Sequence, residues 1–181
     1  MRPYVYFLVG AVLATVIVAR VVPPSRRPAD AGRPEAGTTR ILIPVDGVSA
    51  AHLKSNFLDQ RGTFRIHHAL DIMAPRGTIV RAAVPGTIRK LFTSHAGGIT
   101  IYEFDQDQAR CYYYAHLDHY ADGIHEGMNV RQGEVIGYVG TTGNAPANAP
   151  HLHFAISILP ESKEWWKGEP IDPYPLLVQT R

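Results

Sequence analysis

From residue 40 onward the sequence predicts a mostly β domain, an antiparallel β-sheet with a groove. Three observations predict it. Gly and Pro punctuate the stretch at short intervals, the runs between them are rich in Val, Ile, Tyr, Phe and Thr, and no long amphipathic helical period is visible. Gly and Pro end strands by supplying unusual backbone angles and by lacking an N–H donor. β-Branched and aromatic side chains suit a pleated, half-buried surface.

The elements follow in chain order. Residues 4–19 are an unbroken apolar or small run with Thr15 as its one mildly polar member; Arg20 interrupts it, and Val21 and Val22 extend it. At ~1.5 Å per residue such a helix just crosses a hydrocarbon core of about 30 Å. Residues 1–22 are therefore expected to form an N-terminal transmembrane helix that anchors the chain. The competing reading, a cleaved signal peptide, calls for an apolar region of about 7–15 residues and a small-x-small cleavage site, of which Ile17-Val18-Ala19 is a poor version. Arg2 precedes the run, whereas Arg20, Arg26, Arg27 and Arg33 follow it. That bias by itself would hold the C-terminal part in the cytoplasm. Residues 23–39 are rich in Pro, Gly, Ala and charge without a hydrophobic period, and are expected to be a flexible linker. Residues 40–181 form the expected folded domain, with a short helix at 50–58 and strands at 62–66, 69–73, 79–82, 86–93, 99–105, 109–116, 135–139 and 152–158.

Composition narrows the function. Eighteen basic residues stand against sixteen acidic ones, a net charge of +2, which argues against nucleic acid as the main partner because phosphate binding needs a concentrated basic face; no nucleic-acid partner is expected. The single cysteine, Cys111, excludes an intrachain disulfide and a zinc site built from several thiolates. In the run Cys111-Tyr112-Tyr113-Tyr114 it reads as a small buried hydrophobe of a strand. Nine histidines remain, and imidazole is the commonest metal ligand among side chains.

Five of the chemistry-bearing residues fall in three clusters on expected strands. The first is His67-His68-Ala69-Leu70-Asp71, where strand alternation puts His67 and Asp71 on one face and turns His68 toward Ile66, Leu70 and Ile72. The second is Tyr114-Ala115-His116-Leu117, and the third is His151-Leu152-His153, whose two imidazoles share one face. A hydrolytic zinc site needs three protein ligands and an open position, which two imidazoles and a carboxylate satisfy; further imidazoles beside it can carry protons or stabilise an oxyanion.

These clusters and their flanks resemble the LytM/lysostaphin-type zinc metallopeptidases, the M23 family, whose signature is HxGxD, then a histidine in a Tyr-x-His-Leu context, then HxH. Residues 71–78 (DIMAPRGT), 80–88 (VRAAVPGTI) and 133–143 (GEVIGYVGTTG) match the surroundings of those motifs, so the resemblance spans about residues 57–158. It implies an M23-like fold, distantly similar to biotinyl/lipoyl-like barrels. It also implies Zn2+ as cofactor, His67, Asp71 and His153 as metal ligands, and His116 and His151 as catalytic histidines. The implied activity is a zinc-dependent endopeptidase that hydrolyses peptide cross-links of bacterial peptidoglycan through a metal-activated water. Its partners would be the stem peptides and cross-bridges of the wall, and the membrane through the N-terminal segment. It would work in the cell envelope, anchored with the domain outside the cytoplasm, or secreted if the N-terminus is cleaved. Ala69 stands where the family usually has Gly, and its methyl group could crowd the site.

Two non-enzymatic readings compete: a LytM-like regulator of other wall hydrolases, and a biotinyl-like envelope adaptor. The complete histidine set argues against the first. For a carrier of the second kind, none of Lys54, Lys90, Lys163 or Lys167 has the Met-flanked setting of a modified lysine. Tyr114 shares strand parity with His116 and could face the groove. Trp165 and Trp166 read as loop packing, with sugar stacking as the alternative. His52, His95, His119 and His125 read as surface or groove residues. The glycines at 133, 137, 140 and 143 read as aids to tight strand turns, since no Lys-Ser/Thr follows to complete a phosphate loop.

Overall fold

The computed structural model describes residues 40–62 and 65–179. The expected transmembrane helix (1–22) and linker (23–39) lie outside them, and among the described residues no helix is long and apolar enough to cross a membrane. In chain order the strands are β1 (Gln60–Arg61), β2 (Arg65–Ile66), β3 (Leu70–Met73), β4 (Ile79–Arg81), β5 (Gly86–Ser94), β6 (Gly98–Asp105), β7 (Arg110–Tyr120), β8 (Asn129–Val130), β9 (Val135–Val139), β10 (His151–Ile158) and β11 (Glu169–Ile171), followed by α1 (Pro173–Val178).

The mostly β, antiparallel expectation is borne out. Nine strands form one sheet in the order β11-β10-β7-β6-β5-β8, with β3 added to β10, β4 to β9, and β9 to β7. β1 and β2 form a separate two-stranded hairpin in place of the single expected strand at 62–66. The expected helix at 50–58 shrinks to one 3₁₀ turn, Ala50–His52, because the backbone turns extended at Leu53. α1 was not legible as periodicity but has a local cause: Asp172 accepts a hydrogen bond from the Tyr174 N–H at 2.9 Å, and Pro173 occupies the first helical position, where its missing N–H costs nothing.

Burial follows strand alternation. Leu152, Phe154 and Ile156 of β10 and Leu70 and Ile72 of β3 are completely or almost completely buried, and pack with Ile88, Ile101, Tyr112 and Tyr114 into one core. The opposite face of the same strands carries Asp71, His151 and His153. Pairing of β3 with β10 sets Asp71 directly across from His153, so a one-residue slip would separate them. Cys111 is buried as expected, in a small satellite cluster with Phe104 and Leu159.

The core also holds a carboxyl group. The Tyr114 hydroxyl donates to Glu103 Oε2 and accepts from the Ala83 N–H at 2.9 Å, while Glu103 Oε1 has no partner. Burial pushes the Glu103 carboxyl up to about 8, against the pull of the Tyr114 hydrogen bond. It is therefore neutral at pH 7. Since its folded-state value lies above the unfolded one, its contribution to stability is complete below about pH 4.3 and is lost as pH rises through about 8, at up to roughly 1.4 kcal/mol per pH unit. Glu103→Gln, which cannot ionise, is expected to flatten that slope; urea unfolding of both proteins at intervals between about pH 5 and 8 measures it.

Candidate metal centre

Five side chains from four segments converge on one cavity of about 380 Å³. His67 lies between β2 and β3, Asp71 on β3, His116 on β7, and His151 and His153 on β10. The tightest part is a triangle. His67 Nε2 lies 2.9 Å from Asp71 Oδ1 and 3.0 Å from His153 Nδ1, and His153 Nδ1 lies 3.2 Å from Asp71 Oδ1. Four-coordinate zinc with bonds of about 2.0–2.1 Å requires donor atoms about 3.3 Å apart, close to these spacings.

Hydrogen bonds at the far side of each ring decide which atoms carry lone pairs. A carbonyl oxygen only accepts, so a ring nitrogen facing one must carry the proton. His67 Nδ1 donates to the Asn56 carbonyl at 2.9 Å, His116 Nδ1 to the Thr142 carbonyl at 2.8 Å, and His151 Nδ1 to the Ala149 carbonyl at 2.8 Å. Each neutral ring therefore turns a bare Nε2 toward the cavity. In the triangle, bare nitrogen faces carboxylate oxygen, acceptor against acceptor, which is repulsive unless a cation or a proton lies between them. The donor set thus fits a divalent metal ion.

The electrostatics agree. Burial holds His116 down to about 4 against the Thr142 hydrogen bond, with smaller lowering by His153 and His151. Burial also lowers His153, against the attraction of Asp71. Burial opposes ionisation of Asp71, but the neighbouring imidazoles of His153 and His67 overcome it and hold the carboxyl well below its usual range. A carboxylate beside neutral imidazoles is the protonation state that ligates metal.

Several contributors were invisible in the sequence. Asn56 holds two ligands at once, accepting from His67 with its main-chain oxygen and from the Asp71 N–H with Oδ1 at 3.2 Å. Arg61 pairs with Asp71 Oδ2 and leaves Oδ1 to the imidazoles. Thr142 accepts from His116, donates to the Leu117 carbonyl at 2.7 Å and accepts from the Ile99 N–H at 2.9 Å. No periodic signal marks these residues, because their role arises only where loops meet. Gly143 and Gly98 allow that meeting. Both have positive φ, and a Cβ on either would strike the backbone of the other's loop.

Two readings need correction. Tyr114 does not face the groove: it is fully buried, and Tyr113 lines the cavity instead. His116 has φ 60°, which breaks the alternation of β7, so parity could not be counted back from it. His68, likewise at φ 53°, does not sit among Leu70 and Ile72 but is exposed against Phe57, with ring centroids 5.5 Å apart. Ala69 is buried at 1% exposure and stands outside the cavity lining. Among the remaining histidines, His52 bonds Ser49 at 3.0 Å and His119 stacks on Tyr138 at 4.4 Å.

Comparison with known proteins joins this site to a lineage. The model of Peptidase family M23 matches residues 65–173. The chain belongs to that family. It is 35% identical over 128 residues to the DD-carboxypeptidase/endopeptidase Mpg of Neisseria meningitidis serogroup B, covering 65% of this chain and 24% of that protein. It is 34% identical over 131 residues to the L-Ala--D-Glu endopeptidase of Bacillus subtilis, covering 68% of this chain and 39% of that one. The chain thus spans well under half the length of these curated relatives. Among solved structures it resembles the catalytic domain of lysostaphin from Staphylococcus simulans, with a TM-score of 0.53 and 32% identity over 62% of this chain and 79% of that one. As an M23 peptidase the protein takes Zn2+, and His67, Asp71 and His153 are the described residues that can hold it.

Purified protein is expected to carry about one zinc per chain by plasma mass spectrometry. His153→Ala should remove it, and His116→Ala should retain it. Asn56→Ala, which frees the Asp71 N–H, should weaken zinc about 10–100-fold in a chelator competition.

Proposed function

We propose that this protein is a zinc-dependent endopeptidase that hydrolyses peptide cross-links of bacterial peptidoglycan. The observation that carries the reading is the presence, beside the three-donor triangle, of two further imidazoles that aim unprotonated Nε2 atoms into the same cavity. Their ring centroids lie 5.0 Å apart, and His151 Nε2 is 3.7 Å from Asp71 Oδ1. A regulator without catalysis has no use for this pair, and an adaptor has no use for the triangle. The M23 relatives include a DD-carboxypeptidase/endopeptidase, an L-Ala--D-Glu endopeptidase and a glycyl-glycine endopeptidase, which supports the same substrate class.

Zinc in the site would supply Lewis acidity, polarising a peptide carbonyl and making water more acidic. The protein supplies the rest. His116 and His151 are held by main-chain carbonyls, so neither ring needs to reorient. The Nε2 of one takes the proton that water releases as its oxygen adds to the amide carbon. Once protonated, that nitrogen can donate to the charged oxygen or return the proton to the leaving amine. Arg61 and Arg65 form part of the cavity wall, and Ala96, Gly97 and Asn144 another part. A wall peptide would lie extended along this cavity. The hydrophobic residues 4–19 would hold the domain at the outer face of the membrane, within reach of the wall.

Digestion of purified peptidoglycan, with fragments read by mass spectrometry, is expected to release cut peptides. His116→Ala and His151→Ala should each lose about 10²–10⁴-fold in rate with zinc retained. Undiminished lysis by zinc-free His153→Ala protein would refute the mechanism. For the anchor, mass spectrometry of mature protein should find the N-terminus intact; a start near Arg20 would overturn it.

A further inference from the structure

The cavity does not end at the metal triangle. An unbroken series of ring contacts leaves it along the sheet face. Tyr113 meets His153 edge-on with centroids 6.0 Å apart, Tyr102 lies 4.6 Å from Tyr113, and Trp165 lies 4.6 Å from Tyr102. Trp165 in turn touches Phe92 at 5.5 Å and Trp166 at 5.3 Å. Tyr102 and Tyr113 are direct cross-strand partners on the face that carries His153, and Phe92 pairs with Thr100 one strand further out. Phe92 is 41% exposed and Trp166 59%. Trp165 has a packing role, closing the small cluster of Phe104, Cys111 and Leu159. That role explains neither the exposure of Phe92 nor that of Trp166.

The surroundings restrict what this ribbon can hold. β6 is paired on both sides by β5 and β7, and β7 by β6 and by β10 or β9, so the strands that carry Tyr102 and Tyr113 offer no free main-chain edge to an extended peptide. Cations near the ribbon are already engaged: Lys167 pairs with Glu164 at 2.7 Å, and Lys163 Nζ donates to the Gln108 carbonyl at 2.7 Å. The suited ligand is neutral, presents apolar faces to aromatic rings, and carries hydroxyl groups for the polar tips of Tyr and Trp. A chain of pyranose rings has that chemistry.

We propose that this aromatic ribbon binds the glycan backbone of peptidoglycan, so that the sugar strand lies on Trp166, Trp165 and Phe92 while its peptide branch enters the metal cavity past Tyr113. The assignment of peptidoglycan as substrate rests on the reading above; the sugar site itself rests on the ring geometry. Trp165 and Trp166 are the chain's two tryptophans, so intrinsic fluorescence reports on this patch directly.

The test is titration of the zinc-loaded full-length protein with a peptide-free β-1,4-linked N-acetylglucosamine tetramer. A saturable fluorescence change is expected. Trp166→Ala, which keeps Trp165 as reporter, should weaken it about tenfold, and Trp166→Tyr should largely restore it. Phe92→Ala gives the same comparison if Trp166→Ala misfolds by circular dichroism. No saturable change, or equal affinity in both alanine variants, overturns the proposal. Since the titration requires no bond cleavage, failure of peptidoglycan digestion would overturn the peptidase reading without altering this result.

Discussion

His67 Nε2 and Asp71 Oδ1, two acceptors 2.9 Å apart, repel, and the rest of the structure holds them there. With Nδ1 committed to the Asn56 carbonyl, a neutral His67 has no proton to give Asp71. Their approach is imposed by the pairing of β3 with β10 and by the hydrogen bond of His67 to Asn56. The sheet is stable because its other face buries Leu70, Ile72, Leu152, Phe154 and Ile156. Hydrophobic burial on one side thus maintains an electrostatically unfavourable cluster on the other, and a divalent cation resolves the conflict.

The same logic extends to the rings around the cluster. Three of the four imidazoles spend Nδ1 on a backbone carbonyl and keep Nε2 bare. Those carbonyls belong to loops, not to strands, and the loops are fitted together by backbone contact at Gly98 and Gly143 and by the hydroxyl of Thr142. Preorganisation here comes from elements that carry no reactive group. Tyr113 links this site to the aromatic face beyond it, where the sheet offers rings in place of main-chain donors.

Much of the site was legible in advance, since ligand-capable side chains stand at strand spacings and motif order is a linear property. The HxH pair on β10 is the clearest case: i and i+2 on an extended strand share a face whatever surrounds them. The strand spans 86–93, 99–105, 135–139 and 152–158 were legible for the same reason, each being a β-rich run closed by turn residues. The two misplaced side chains share one cause. Tyr114 and His68 were placed by counting alternation through His116 and His68, residues that adopt positive φ. Such a residue resets parity, and side-chain type does not reveal it when the residue is not glycine.

The sequence by itself determined the chemistry on offer: near-neutral charge, a solitary buried thiol, and five metal- or proton-binding side chains in the order of a known peptidase family. It also determined the β character, because residue preference and turn punctuation are local. Only the tertiary structure decided that Asn56 and Arg61 serve Asp71, that Thr142 orients His116, that Tyr113 rather than Tyr114 enters the cavity, and that Trp165 continues an aromatic series begun at His153. These relations join residues from ten to sixty-three positions apart. They arise from strand register and loop closure, which burial across the whole sheet settles and no local stretch of chain encodes.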